Sequence, residues 1–300
     1  MPSTLDPTAP ATPAGKSKPA SCTAFGCSRD FDERRYVYTV ISPRAGGLSI
    51  GVNLNPTRCC NFDCLYCEVP NRKVGQEQPV DIARMMNELR DVMTMVSTRK
   101  LHKHPYYHQL PDGLLELKHI SLSGDGEPTL SPNFLEVVQS LVHFRALRMF
   151  PFFKLVLITN ASRLMDDNVA KGVELLEAHQ DEVWGKLDAG DQARFEKING
   201  TSERLDDVTR GIVSVGKKRP VVIQSLQTAV NGSGPTPKEV EQLIDRICQL
   251  REAGAKIASV QIYSATRPVW NTEVGHLKLS NLSAIAHAIS KRTGVRAVVY

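Results

Sequence analysis

The sequence predicts an α/β fold built on a parallel sheet. Six short apolar runs between residues 48 and 263 read as strands, and each leads into a helical pattern or connection. Loops rich in cysteine, acidic residues or asparagine recur just past the strand ends, the edge at which parallel α/β folds build their sites.

The elements follow in order. VYTVIS (37–42) and LSIGVNL (48–54) are strand-like, the second running straight into a cysteine loop. VDIARMMNELRDVMTMV (80–96) has helical length and propensity, with Asp81 as its cap. After a polar, His-rich connection, LKHISLSG (117–124) is a strand, 132–147 a helix and FKLVLITN (153–160) a strand. Residues 166–178 read as helix, EVWGKLD (182–188) as strand, 203–215 as helix and PVVIQSLQ (220–227) as strand. Helix 237–253, strand IASVQIY (257–263) and helix 280–292 precede VRAVVY (295–300). Periodicity alone leaves open whether the sheet closes.

Composition narrows the function classes. An apolar fraction of 41% and a charged fraction of 23% fit a globular domain of 300 residues, and no apolar run approaches about 18 residues, so no membrane association is expected. The net charge of +5 is mild and dispersed, so nucleic acid is possible but unsupported as a partner. Residues 1–35 read as a flexible Pro-, Ala-, Ser- and Thr-rich tail and 36–300 as the core domain. Seven cysteines without an export signal point to reduced thiols and a cytoplasmic setting.

Four of those cysteines fall in RCCNFDCLYC (58–67). Cys60, Cys64 and Cys67 have the spacing C-x3-C-x2-C, which lets one compact loop aim three soft thiolates at an iron-sulfur cluster or at zinc. A structural zinc site needs a fourth ligand, and downstream only Cys248 is offered, inside a helix. Three ligands on a four-iron cluster leave one iron open to a small molecule. Cys22 and Cys27 lie near the tail and Cys59 adjoins a ligand, so no second cluster is expected. His102, His104 and His108 are close in sequence, but Pro105 and Pro111 break regular presentation; the segment reads as a solvated excursion.

CNFDCLYC, GDGEPTL (124–130), LITNAS (157–162) and KLDAGDQARFEKIN (186–199) resemble, in order and spacing, the motifs of the radical S-adenosylmethionine (radical SAM) superfamily. Small iron-sulfur oxidoreductases sharing SGxGEPTL and a late QxYxxxRP, here Gln261, Tyr263, Arg267 and Pro268, are the nearest in pattern. The resemblance implies a partial (β/α)6 TIM-type barrel. It implies a [4Fe-4S] cluster on Cys60, Cys64 and Cys67, and S-adenosylmethionine held by Tyr66, Gly126, Glu127, Asn160, Lys186 and Asp188. Arg267, after the sixth strand, is the candidate for a substrate carboxylate or phosphate. Asp125 departs from the pattern by standing where the motif has glycine.

The activity so implied is reductive cleavage of S-adenosylmethionine to a 5'-deoxyadenosyl radical that abstracts hydrogen from a substrate. A reduced flavodoxin or ferredoxin is the expected electron donor. RNA modification, peptide or protein modification and a zinc-binding module without catalysis are the alternatives.

Overall fold

The computed structural model describes residues 31–69, 78–177, 179–265, 269 and 271–300. Its main sheet has eight strands: β1 (Val37–Ser42), β2 (Gly47–Val52), β3 (Leu117–Leu122), β4 (Lys154–Thr159), β5 (Glu182–Lys186), β6 (Val221–Leu226), β8 (Ile257–Tyr263) and β10 (Ala297–Val299). β1 runs antiparallel to β2, pairing Val37 with Val52, and every other neighbouring pair is parallel. The order β1-β2-β3-β4-β5-β6-β8-β10 leaves β1 and β10 as edges, so the sheet curls into a half-barrel without closing. Two-residue strands β7 (Ala229–Val230) and β9 (Val274–Gly275) pair separately.

Helices α1 (Ile82–Ser97), α2 (Phe134–Ala146), α3 (Asp167–Leu175), α4 (Gln192–Asn199), α5 (Leu205–Lys218), α6 (Pro237–Glu252) and α7 (Leu279–Thr293) provide the connections. Local chemistry sets their ends. Asp81 accepts from the Arg84 amide at the start of α1, as expected, and Thr236 and Glu239 form a reciprocal capping box on α6.

The strands are buried on two faces of different character. Leu155 and Leu157 of β4 belong to the main core with Leu89 of α1 and Leu141 of α2, each side chain worth about 1.5–3 kcal/mol of burial. The alternate residues Val156 and Ile158 face inward with Trp184 and Val222, in a smaller apolar cluster. The rest of the inner face is largely polar, and this period of two separates the core from the lumen.

Three readings are revised. The His-rich segment is not wholly solvated: it makes short helical turns, Lys100–Lys103 and Asp112–Leu114, and buries Leu101 and Tyr107. Apolar side chains in a polar stretch drive that packing. Phe31 is also buried, its ring meeting His104 and Tyr107, so packing reaches upstream of residue 36. Helix α4, absent from the sequence reading, becomes central to the site. Among the described residues no helix is long and apolar enough to cross a membrane.

Candidate active site

At the C-terminal end of the strands a cavity of about 280 Å³ is lined by Cys60, Cys64 and Cys67 and continues into the lumen. Tyr66, Gly126, Glu127, Asn160 and Lys186 line the same cavity, so residues from four separate stretches meet there. Asp188 stands directly behind, accepting from the Tyr66 hydroxyl. Arg267 lies outside the described residues, as do Pro268, Cys22 and Cys27.

The cysteine loop is docked on α4. Asp63 N–H donates to the carbonyls of Asn199 and Gly200 at 2.9 and 3.0 Å, and Leu65 N–H to that of Ile198 at 2.9 Å. Gly200 ends α4 in the left-handed region (φ +53°), and a Cβ there would lie 2.2 Å from the Asp63 carbonyl oxygen. Phe62 meets Phe195 edge-on at 5.5 Å, adding apolar contact to the backbone bonds. The loop is thus held at both the backbone and the side-chain level.

Asn199 was not singled out from sequence, yet its amide donates to Asp188 Oδ2 (2.8 Å), the Tyr66 hydroxyl (3.0 Å) and Cys64 Sγ (3.5 Å). Burial, followed by the neighbouring Asp188 carboxylate, pushes the Tyr66 phenol well above its ordinary pKa. The Lys186 ammonium lies 4.5 Å over the Tyr66 ring and 3.8 Å from Asp188 Oδ2. Burial alone would lower the Lys186 pKa, but Asp188, with Tyr263, Cys64 and Cys67, outweighs it and holds the group charged. The surrounding negative groups thus favour the protonated ammonium of Lys186.

The loop after β3 is set against the cysteine loop. Glu127 N–H donates to the Cys59 carbonyl (3.2 Å), and Asn55 Nδ2 donates to the Glu127 carbonyl (3.0 Å). Gly126 is required by this approach: a Cβ would sit 1.8 Å from the Cys59 carbonyl oxygen. Asp125 fits in place of glycine because Asn53 takes both of its groups, donating to the carboxylate at 2.8 Å and accepting from the amide at 3.1 Å.

Glu127 is buried, with 3% of its surface exposed. Its Oε1 accepts from Thr129 N–H (3.1 Å), Thr129 Oγ1 (2.6 Å) and Thr159 Oγ1 (2.6 Å), while Oε2 accepts from Asn160 N–H (2.7 Å). Burial raises its pKa against the pull of these donors. The carboxylate thus ties the loop to the end of β4, with lone-pair capacity remaining chiefly on Oε2. Asn160 extends the tie: its Nδ2 donates to Asn61 Oδ1 (2.9 Å), and its Oδ1 accepts from Ser162 N–H (3.0 Å) and Oγ (2.7 Å).

The donor set suits a thiolate-held cluster. The three cysteines share one cavity, the Phe62 amide donates to Cys60 Sγ at 3.5 Å, and Asn199 donates to Cys64 Sγ; these contacts favour negative sulfur and offset part of the burial that pushes the Cys64 thiol's pKa up. Among the described residues, no three His, Cys, Asp or Glu side chains form a group suited to a single metal ion. Cluster ligands stand at separate corners and need no such convergence.

With this geometry goes a match to the family model described as "Radical SAM superfamily", over residues 54–247. The chain belongs to the radical SAM superfamily. Within that superfamily it is similar to a "UPF0026 protein" of Helicobacter pylori (strain J99 / ATCC 700824), at 24% identity over 75% of this chain and 66% of that protein. A second relative of that name, from H. pylori strain ATCC 700392 / 26695, is 26% identical over 59% of this chain. The chain covers only half of that second protein. A radical SAM methyltransferase from Sphaerobacter thermophilus shares the fold with TM-score 0.61 and 13% identity, over 88% of this radical SAM chain and 68% of the other. A structure of TYW1 with a lysine-pyruvate adduct bound matches with TM-score 0.55 and 14% identity, over 87% and 85% of the respective chains.

Proposed function

We propose that the protein binds a [4Fe-4S] cluster through Cys60, Cys64 and Cys67 and uses S-adenosylmethionine to start radical chemistry on a substrate held in the half-barrel. The observation that carries this reading is that the three cysteines share one cavity with the ends of β3, β4 and β5. When bound, these groups supply one-electron cleavage of S-adenosylmethionine to a 5'-deoxyadenosyl radical that abstracts hydrogen.

The chain's own part is to hold, orient and shield. Cys60, Cys64 and Cys67 are the cluster ligands, and the α4 platform fixes their loop. Glu127 Oε2 and the backbone at Gly126 form the polar side of the cofactor site, suited to an ammonium group. Asn160 supplies an amide at the end of β4, with its position fixed by Asn61 and Ser162. Tyr66, Lys186 and Asp188 form a buried, charge-balanced wall that limits water at the reacting centre. A flavodoxin- or ferredoxin-type donor would supply the electron.

The test is anaerobic reconstitution of the full chain with iron and sulfide, then turnover with dithionite and S-adenosylmethionine, scoring 5'-deoxyadenosine. Formation of that product by the parent, and its loss in Cys60→Ala, Cys64→Ala and Cys67→Ala, is the expected result. A reconstituted parent that never cleaves S-adenosylmethionine would refute the reading.

A further inference from the structure

The lumen carries two polar side chains that the cofactor site leaves unused. Arg44 lies in the turn between β1 and β2, at the N-terminal edge of the half-barrel, but its side chain runs into the lumen, and its guanidinium sits 4.5 Å over the ring of Tyr263, the last residue of β8. It therefore reaches from the first strands of the sheet to one near its far edge. Half-buried and lining the cavity, Arg44 has no carboxylate and no hydrogen-bond acceptor among the described residues. A tyrosine face offers a cation some attraction but satisfies none of the five guanidinium donors.

His119, on the inner face of β3, is only 2% exposed and lines the same cavity. Its ring meets Trp184 edge-on at 5.5 Å, and neither nitrogen forms a hydrogen bond among the described residues. Burial, reinforced by Lys154 and Arg44, lowers its pKa to about 4, so at neutral pH it is an uncharged imidazole with one donor and one acceptor.

Arg44, His119 and Trp184 also wall a second cavity, of about 440 Å³, that continues the lumen toward the N-terminal end of the strands. The other cations there are already matched: Lys154 pairs with Glu182 at 2.7 Å and Lys118 with Glu116 at 2.8 Å. Arg44 is the cation on these walls left without an anion among the described residues. Between it and the cysteines the wall is apolar at Val40, Ile158 and Trp184 and bears hydroxyls at Ser49 and Ser121.

A half-buried guanidinium and an imidazole that face one space, with no hydrogen-bond partner among the described residues, present donors and an acceptor to a ligand entering it. We propose that the lumen binds the carboxylate or phosphate of a small organic substrate beside Arg44, with Arg44 as its charge partner and His119 as a hydrogen-bonding residue. The apolar body of the molecule then extends along Trp184 and Ile158 toward the cysteine-lined end. Its role as substrate rests on the radical reading above; the anion site itself does not.

The experiment is anaerobic isothermal titration of the reconstituted full chain with benzoate, phenyl phosphate and the neutral isostere benzamide, each with and without saturating S-adenosylmethionine. Benzoate or phenyl phosphate is expected to bind with one-to-one saturation in both conditions, benzamide at least tenfold more weakly, and the tighter anion identifies the headgroup. Arg44→Gln should weaken that anion at least tenfold, and Arg44→Lys should do so less, with iron content equal to the parent's as the check on folding. The proposal is overturned if neither anion saturates, if benzamide binds equally well, if Arg44→Gln leaves affinity unchanged, or if S-adenosylmethionine displaces the anion. Scoring 5'-deoxyadenosine on the same samples separates the two readings. Anion binding without cleavage sinks only the radical reading, and cleavage without anion binding sinks only this one.

Discussion

Replacing Gly126 by alanine strikes the joint between the two loops that build the site. The added Cβ would lie 1.8 Å from the Cys59 carbonyl oxygen, a backbone atom that cannot rotate away. Reaching an ordinary contact means parting the two backbones by roughly 1.6 Å, with overpacking strain of about 1–3 kcal/mol. The Glu127 N–H to Cys59 carbonyl bond, at 3.2 Å, would break in the process, a further loss of about 0.5–1.5 kcal/mol. Together these give about 1.5–4.5 kcal/mol, or a fall of roughly 2–7 °C in thermal midpoint for an iron-free chain of 300 residues. Cys59 precedes Cys60, and Glu127 is bonded to Thr159 and Asn160, so the shift reaches the residues proposed to hold cluster and cofactor. A displacement near 1 Å at a reacting centre lowers rate by about a hundredfold. Thermal unfolding, iron quantification and 5'-deoxyadenosine yield measure the three consequences. A Gly126→Ala chain with the parent's midpoint, iron content and cleavage rate would show that the joint does not constrain the site.

Iron should saturate at about four per chain, and Cys22, Cys27, Cys59 and Cys248 replaced together by serine should keep the cluster spectrum; eight irons in the parent, halving in that variant, would reveal a second cluster. Glu127→Ala and Asn160→Ala should retain iron but weaken S-adenosylmethionine binding, by about tenfold or more for Glu127; unchanged affinity in a titration of folded variants would remove the assigned roles. Stability should depend on His119: its folded pKa of about 4 lies below the unfolded value of 6.5, so between those pH values the unfolded chain binds more proton. That contribution is fully present above pH 6.5 and is lost as pH falls toward 4, by up to about 3 kcal/mol, so denaturant midpoints of His119→Asn should fall less over this window than the parent's. Equal acid sensitivity of the two chains would contradict it.

Much of the architecture was legible because a parallel sheet buries both strand faces and leaves apolar runs that punctuation residues delimit. The segment LKHISLSG shows how far that reading goes. Its run marks β3, but the alternation within it also separates Ile120 and Leu122, in the main core, from His119, Ser121 and Ser123, which line the lumen. A polar residue at every second position of an otherwise buried strand was therefore a signal for a polar cavity, present in the sequence and passed over. The convergence of the cysteine loop, Glu127, Asn160 and Lys186 was likewise implied by their places just past strand ends.

Helix α4 was hidden for the opposite reason. Its eight residues bury only Phe195, Ile198 and Asn199, too few apolar positions to set a period, and its identity rests on its ends: Asp191 caps the Arg194 amide, and Gly200 closes it at positive φ. Asn199 has no readable signal as a site residue, since its value comes from partners contributed by residues 64, 66 and 188. The same holds for Glu127. Its motif advertises a carboxylate for a ligand, while the fold also uses that carboxylate to join Thr129, Thr159 and Asn160. One buried group can serve both ends because its two oxygens are divided unequally, three donors on Oε1 and one on Oε2. The division fixes the direction in which remaining negative charge faces the cavity, so the site's electrostatics are set by the same bonds that hold β3 and β4 together.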